Sequence, residues 1–305
     1  MDPETYGTDS INPLPTDGEN IPFGDRDKCT DQRSRTFNGL SAKEWAARSR
    51  SVWNDVSYVR RTKARLDHGA TFPEALAQRL IEMYSRTGDT VLDPFLGTGT
   101  TVVSALETDR NAIGIELTEH YYAVAEESVS SLENISSEYQ LFNGNCENVL
   151  RDLDDGSVQL TVTSPPYADL IRKVTEDRAL RHKNSILVKD NGSTIHPYSD
   201  SREDLGNMPL EEYLEHVDSI MKELYRVTAK GGYNVWVVKD FRDVRNGVPY
   251  VDLHTKIAES GSKAGFRYHD LIIWDQNEHR KLVVNGYPSV FYMNINHSFI
   301  VVMRK

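Results

Sequence analysis

Two short runs in this chain combine residue types that do chemistry when a strand delivers them to an open edge. The first is Asp93-Pro94-Phe95-Leu96-Gly97-Thr98-Gly99-Thr100-Thr101. Gly97 and Gly99 allow a sharp turn and close approach to a ligand, and a helix starting just after them offers unpaired N–H groups. A dinucleotide fingerprint needs a third glycine where Val102 stands, and a phosphate-binding P-loop needs a following Gly-Lys. Neither is present. Asp93, expected at the end of a strand, repels a pyrophosphate and attracts an ammonium. Glu116, expected at the end of the next strand, is placed to hold both hydroxyls of a ribose. Cation-seeking acid, glycine turn and ribose-holding acid together describe a site for S-adenosylmethionine, with Asp93, Phe95, Gly97, Thr98, Gly99, Thr100 and Glu116 as its residues.

The second run is Thr163-Ser164-Pro165-Pro166-Tyr167. Two prolines hold the backbone extended and remove two N–H donors, which leaves carbonyl oxygens facing a cleft. Ser164 adds a hydroxyl and Tyr167 a flat face with a polar tip. Such a set suits an amine on a flat ring. The ring stacks on Tyr167, while Ser164 and the Pro165 carbonyl accept hydrogen bonds from the NH2 group. The nitrogen lone pair is thereby freed to attack an electrophilic methyl, and catalysis is chiefly orientation and electrostatics.

These runs need elements to carry them. Residues 41–66 have apolar residues at helical spacing (Trp45, Val52, Trp53, Val56, Val59), which predicts one helix. Thr71 and Glu74 have capping-box spacing ahead of a second helix. Strands are expected at 89–93, 111–116, 139–143, 158–163 and 233–238, with helices over 102–107, 118–133, 209–228 and 251–264. Gly231 and Gly232 are expected to end the 209–228 helix. Two late strands, 271–275 and 298–304, form an antiparallel pair at one edge. Alternation at this pace gives the fold class: α/β, a doubly wound, mostly parallel sheet. Residues 1–35, rich in Pro, Gly and Asp, are expected to be a mobile acidic tail, and 36–305 a single domain.

With this second run in place, the sequence resembles the amino-methylating DNA methyltransferases, and within them the cytosine-N4 group with its Thr-Ser-Pro-Pro-Tyr motif. The resemblance covers about residues 60–305 and implies a seven-stranded, Rossmann-like methyltransferase sheet. It assigns catalysis to Ser164, Pro165, Pro166 and Tyr167. His68-Gly69-Ala70-Thr71-Phe72-Pro73 is similar to the family segment over the cofactor, which adds Phe72 and Pro73 to its site. Leu117 joins through Ile113-Gly114-Ile115-Glu116-Leu117. Asn143-Gly144-Asn145-Cys146 lies where the family usually has Gly-Asp beside the adenine, with Asn145 replacing the acid, which adds Asn145 and Cys146 to the site. The implied substrate is double-stranded DNA with a base flipped out of the stack. A companion restriction endonuclease would be a separate protein rather than a stable subunit.

The net charge of -11 argues against a polyanion partner, but local patches decide phosphate contacts. Arg60, Arg61, Lys63 and Arg65 form one basic cluster, expected to grip phosphates. A second, Arg172, Lys173, Arg178, Arg181 and Lys183, lies in the long polar stretch 168–205, expected to be the inserted target-recognition segment. The nearest alternative is adenine N6 methylation, whose enzymes more often have Asp or Asn where Ser164 stands. Cytosine C5 methylation needs a thiolate, and neither Cys29 nor Cys146 has the Pro-Cys context. RNA or protein-glutamine substrates, and a catalytically silent subunit, fit less well. Asp93, Gly97 and Pro165, which silent copies tend to lose, are intact. The two cysteines lack metal-ligand spacing, so no metal is expected, and a cytoplasmic setting is the simple reading. No apolar run is long enough for a membrane span.

Overall fold

Asp93 and Thr163 end neighbouring strands in the computed structural model, and the rest of the fold serves that adjacency. The structure describes residues 37–56, 72–167, 201–243, 247–279, 282 and 291–305. All of them fall in the larger of two compact units, Phe37–Lys305. The 1–35 tail, the Arg60–Arg65 cluster, His68–Thr71 and the basic residues of 172–183 lie outside the described residues.

Strands β2 (Thr90–Asp93), β3 (Asn111–Glu116), β4 (Tyr139–Asn143), β5 (Val158–Thr163) and β6 (Thr228–Val238) run parallel. Strand β10 (His297–Arg304) pairs antiparallel with both β6 and β9 (Arg267–Asp275). The sheet has eight strands rather than seven, in the order β1-β9-β10-β6-β5-β2-β3-β4. The extra strand is β1 (Val52–Trp53), from the stretch expected to be one helix over 41–66. Helix α1 covers only Ala42–Arg48, with Ser41 and Glu44 closing a capping box. β1 then adds parallel to the free side of β9, which places it, not the β9–β10 hairpin, at the sheet's edge. Trp53 explains the override of helical spacing: its ring is buried, with Nε1 donating to the Arg48 carbonyl at 2.9 Å. Deleting a buried Trp costs about 3–5 kcal/mol. Trp53→Ala is expected to lower the urea midpoint accordingly, whereas a helix with Trp53 on its solvent face would show almost no change.

Alternation along the strands separates two cores. Val91, Leu160, Val162, Val235, Val237, Ile300 and Val302 feed one cluster. Their neighbours Leu92, Trp236, Val238, Val301 and Met303 feed the other, as a period of two requires. The first face is covered by α2 (Glu74–Tyr84), α3 (Thr100–Glu107) and α4 (Glu119–Ser130). The second is covered by α5 (Cys146–Asp152), α6 (Leu210–Val227) and α7 (Leu253–Ala264). The doubly wound, mostly parallel architecture is therefore as expected.

Smaller expectations shift. Helix α2 starts from Pro73 as N-cap, and Thr71, the expected partner of Glu74, lies outside the described residues. Helix α6 ends at Val227, and Gly231 lies inside the longer β6 with φ of 82°. A separate two-stranded ribbon, β7 (Phe241–Asp243) with β8 (Val248–Val251), follows β6.

Candidate active site

In an open α/β sheet, ligands bind beyond the carboxyl ends of the strands where the winding direction reverses. Here that point lies between β2 and β5, because the chain runs from β2 outward to β3 and β4, then returns to β5 on the other side of β2. The glycine turn leaves the end of β2 and Ser164 leaves the end of β5, so the two runs meet at one edge.

The turn is held by backbone geometry first. Gly97 has φ of 54° and Gly99 φ of 90°, conformations that glycine adopts without steric cost. Gly99 is the N-cap of α3, and a Cβ there would lie 3.2 Å from Ala125 on α4. Leu96 N donates to the Ile115 carbonyl at 2.9 Å. Its side chain sits against Gly114, where a Cβ would come within 2.8 Å of both Leu96 methyls. Glu116 then ties turn to strand: Oε2 accepts from Gly97 N at 2.8 Å and Oε1 from Thr118 N at 2.9 Å. Burial raises its pKa, against those two hydrogen bonds.

A cleft of about 730 Å³, part of it open to solvent, lies over this edge. Of the expected cofactor residues it is lined by Phe95, Gly97, Glu116, Leu117, Asn145 and Cys146, and of the catalytic ones by Ser164 and Pro166. Thr98, Gly99 and Thr100 are buried behind the turn. Pro165 is buried, and Tyr167 is half-buried against the second core cluster. Phe72 packs on the first cluster and Pro73 is buried at the start of α2, neither of them on the cleft wall.

Asp93 is not on the wall either. Its carboxylate is buried, accepting from Thr101 Oγ1 at 2.6 Å, Thr163 Oγ1 at 2.6 Å and Phe95 N at 3.0 Å. Burial pushes its pKa up to about 6, opposed by the three hydrogen bonds. Asn145 caps α5, its side chain accepting from Glu147 N at 2.9 Å, so the amide oxygen is already engaged. Burial also pushes the Cys146 thiol up, which keeps it protonated and unsuited to attack as a thiolate.

Several cleft residues carry no sequence signal. Thr118, Glu147, Asp204, Leu205, His216 and Ile220 all line it. His216 Nδ1 lies 2.7 Å from Glu147 Oε1, although the two belong to α6 and α5. Asp204 Oδ1 accepts from Gly206 N at 2.8 Å. Only the packing of α5 against α6 brings Glu147 and His216 together at the opening. Outside the cleft, beyond β6, Tyr250 Oη donates to Asp240 Oδ2 at 2.8 Å and His254 Nδ1 lies 2.9 Å from Asp240 and Asp252. Asp240, Asp252 and His254 are the metal-type ligands that converge among the described residues, and hydrogen bonds already engage them.

No described helix is long and apolar enough to cross a membrane. The chain is similar to the type II methyltransferase M.BglI of Bacillus subtilis, 44% identical over 95 residues, 31% of this chain and 26% of that protein. It is 39% identical over 116 residues to the type II methyltransferase M.MthZI of Methanothermobacter thermautotrophicus, covering 35% of this chain and 32% of that one. The chain thus spans about a quarter to a third of the length of these curated relatives. Among solved structures, TrmN of Thermus thermophilus superposes with a TM-score of 0.45 at 14% identity, over 80% of this chain and 52% of its own. The family model of N6/N4 methyltransferases, described as DNA methylase, matches residues 11–127 and 158–305, and the chain belongs to that family.

Proposed function

We propose that the chain transfers a methyl group from S-adenosylmethionine to the exocyclic N4 amine of a cytosine flipped out of double-stranded DNA. The observation that carries this reading is the shared cleft: Gly97 and Glu116 of the cofactor turn and Ser164 and Pro166 of the catalytic run line one opening. The cleft's chemistry fits the cofactor. Phe95, Leu117, Cys146 and Ile220 offer apolar surface for a purine, and Glu116 a carboxylate for ribose hydroxyls. Thr98 Oγ1 is buried without a hydrogen-bond partner among the described residues, which leaves bonding capacity inside the turn. S-adenosylmethionine supplies an electrophilic methyl on a sulfonium with a good leaving group.

The chain's own residues then have three tasks. Glu116 and the glycine turn hold the donor end. Ser164 Oγ and the Pro165 carbonyl accept hydrogen bonds from the amine and draw its lone pair out of conjugation. Tyr167 stacks on the ring and excludes water. Ser164, in place of the Asp or Asn more usual in adenine enzymes, favours cytosine. The basic residues Arg60, Arg61, Lys63 and Arg65, with Arg172, Lys173, Arg178, Arg181 and Lys183, contact DNA, and 168–205 reads its sequence. Removing the charges of either cluster is expected to weaken DNA binding and flatten its dependence on salt, read by fluorescence anisotropy at several salt concentrations.

The direct test incubates the chain with labelled S-adenosylmethionine and mixed-sequence duplex, digests the DNA and separates nucleosides by mass. N4-methylcytosine is the expected product. N6-methyladenine would keep the mechanism and overturn the base, and label absent from DNA would overturn the reading.

A further inference from the structure

The two chemical runs leave adjacent strands, and the backbone ladder between those strands stops short of them. β2 and β5 pair through Val91↔Leu160 and Leu92↔Thr161 only. On its other side β5 stays paired with β6 through Thr163↔Trp236. Past Thr163 no ladder can resume through Pro165 or Pro166, which have no N–H to donate. What joins β2 to β5 beyond Thr161 is a side-chain bridge. Thr163 Oγ1 donates to Asp93 Oδ1 at 2.6 Å and Thr101 Oγ1 to Oδ2 of the same carboxylate at 2.6 Å. Thr101 Oγ1 also lies 3.3 Å from the Val162 carbonyl. All three side chains are buried, with relative exposures of 2% for Asp93, 1% for Thr101 and 0% for Thr163. A charge-assisted bond shielded from water is short and directional.

We propose that Thr163 is a positioning residue: its hydrogen bond to Asp93 sets the catalytic run against the cofactor turn. Asp93 is then a brace between two motifs. The bridge runs from the first turn of α3, through the last residue of β2, to the residue before Ser164. Breaking it frees the Ser164 side of the cleft, while Gly97, Gly99 and Glu116 keep their own bonds. The signature of such a residue is a loss in the transfer rate with cofactor affinity unchanged. Misplacement of reacting groups by about 1 Å can cost 10²-fold in rate. This inference rests on the methyl-transfer reading above.

The test compares Thr163→Val, which removes the hydroxyl at nearly constant shape, with Thr163→Ser, which keeps it. Three quantities are read: the single-turnover rate of methyl transfer to DNA, the Kd for S-adenosylmethionine by calorimetry, and amide hydrogen exchange at Ser164 and Tyr167. The expected result for Thr163→Val is a rate loss of about 10-fold to 100-fold, a Kd within about twofold of the parent chain, and faster exchange at both amides. Thr163→Ser is expected to restore most of all three. If Thr163→Val does not fold, Thr163→Cys, with its weak S–H donor, is expected to fall between Thr163→Ser and the loss of about 10-fold to 100-fold expected for complete removal of the bond. An unchanged rate, a Kd that worsens in step with the rate, or a Ser variant as poor as Val would overturn the proposal. Should the parent chain put no label into DNA, the functional reading fails separately, and hydrogen exchange still decides whether the brace exists.

Discussion

Ser164→Ala is expected to lower the single-turnover methyl-transfer rate by about 10²-fold to 10³-fold and to leave the Kd for S-adenosylmethionine within about twofold. The reasoning starts from place. Ser164 lines the cleft, half-buried, one residue beyond the last hydrogen-bonded pair of β5. In the proposed reading its hydroxyl accepts from the amine together with the Pro165 carbonyl. A bond that strengthens as the nitrogen leaves conjugation acts on the transition state, so its loss falls on the rate and not on ground-state binding. Equal losses in rate and in cofactor affinity would instead make Ser164 part of the cofactor's seat. Rapid-quench assays beside calorimetry separate the two.

Glu116→Gln is expected to do the opposite. The carboxylate ends β3, accepts from Gly97 N and Thr118 N, and still reaches the cleft wall. Hydrogen bonds to a charged group contribute about 1.5–3 kcal/mol each, so weakening ribose contacts is expected to raise the Kd for S-adenosylmethionine by about 10-fold to 100-fold. The pH dependence gives a second check. Burial raises the Glu116 pKa, and Asp93 is the charged neighbour that adds to the rise. An acid whose pKa is raised in the folded state favours the fold when protonated, so lowering the pH does not unfold the chain through Glu116. In the proposed reading it removes the charge offered to the ribose hydroxyls. Cofactor affinity is therefore expected to fall as the pH drops through a range above that of an ordinary glutamate. In Glu116→Gln the affinity is expected to be low and nearly flat with pH. Calorimetric titrations over a pH series, with circular dichroism to confirm the fold, would show either pattern.

Much of this site was legible because its information is local. The turn at Gly97 and Gly99 needs positive φ, which few other residues tolerate, so the glycines announce themselves. The strands through Thr90–Asp93, Asn111–Glu116 and Val158–Thr163 are each paired on both sides, and their apolar runs admit few other readings. The stretch 41–66 departs from its helical spacing for the opposite reason. Val52 and Trp53 are too few to announce a strand; they become one because β9 offers an open edge and the Trp53 ring is buried in the first core. Glu147 and His216 were invisible because their meeting depends on two helices packing together, which no spacing encodes.

By itself the sequence determined the alternation of strands and helices, the glycine turn, and the chemical types available at two strand ends. Each of these follows from the backbone preferences of a few neighbouring residues. Only the tertiary structure decided what the carboxylates do. Asp93, which looked like a group waiting for a cation, spends both oxygens on Thr101, Thr163 and the Phe95 amide, while Glu116 reaches the opening. Both carboxylates are satisfied by the chain's own donors, as buried charge requires, Glu116 by the Gly97 and Thr118 amides; Asp93 is shut between two strands and a helix, whereas Glu116 also lines the cleft wall.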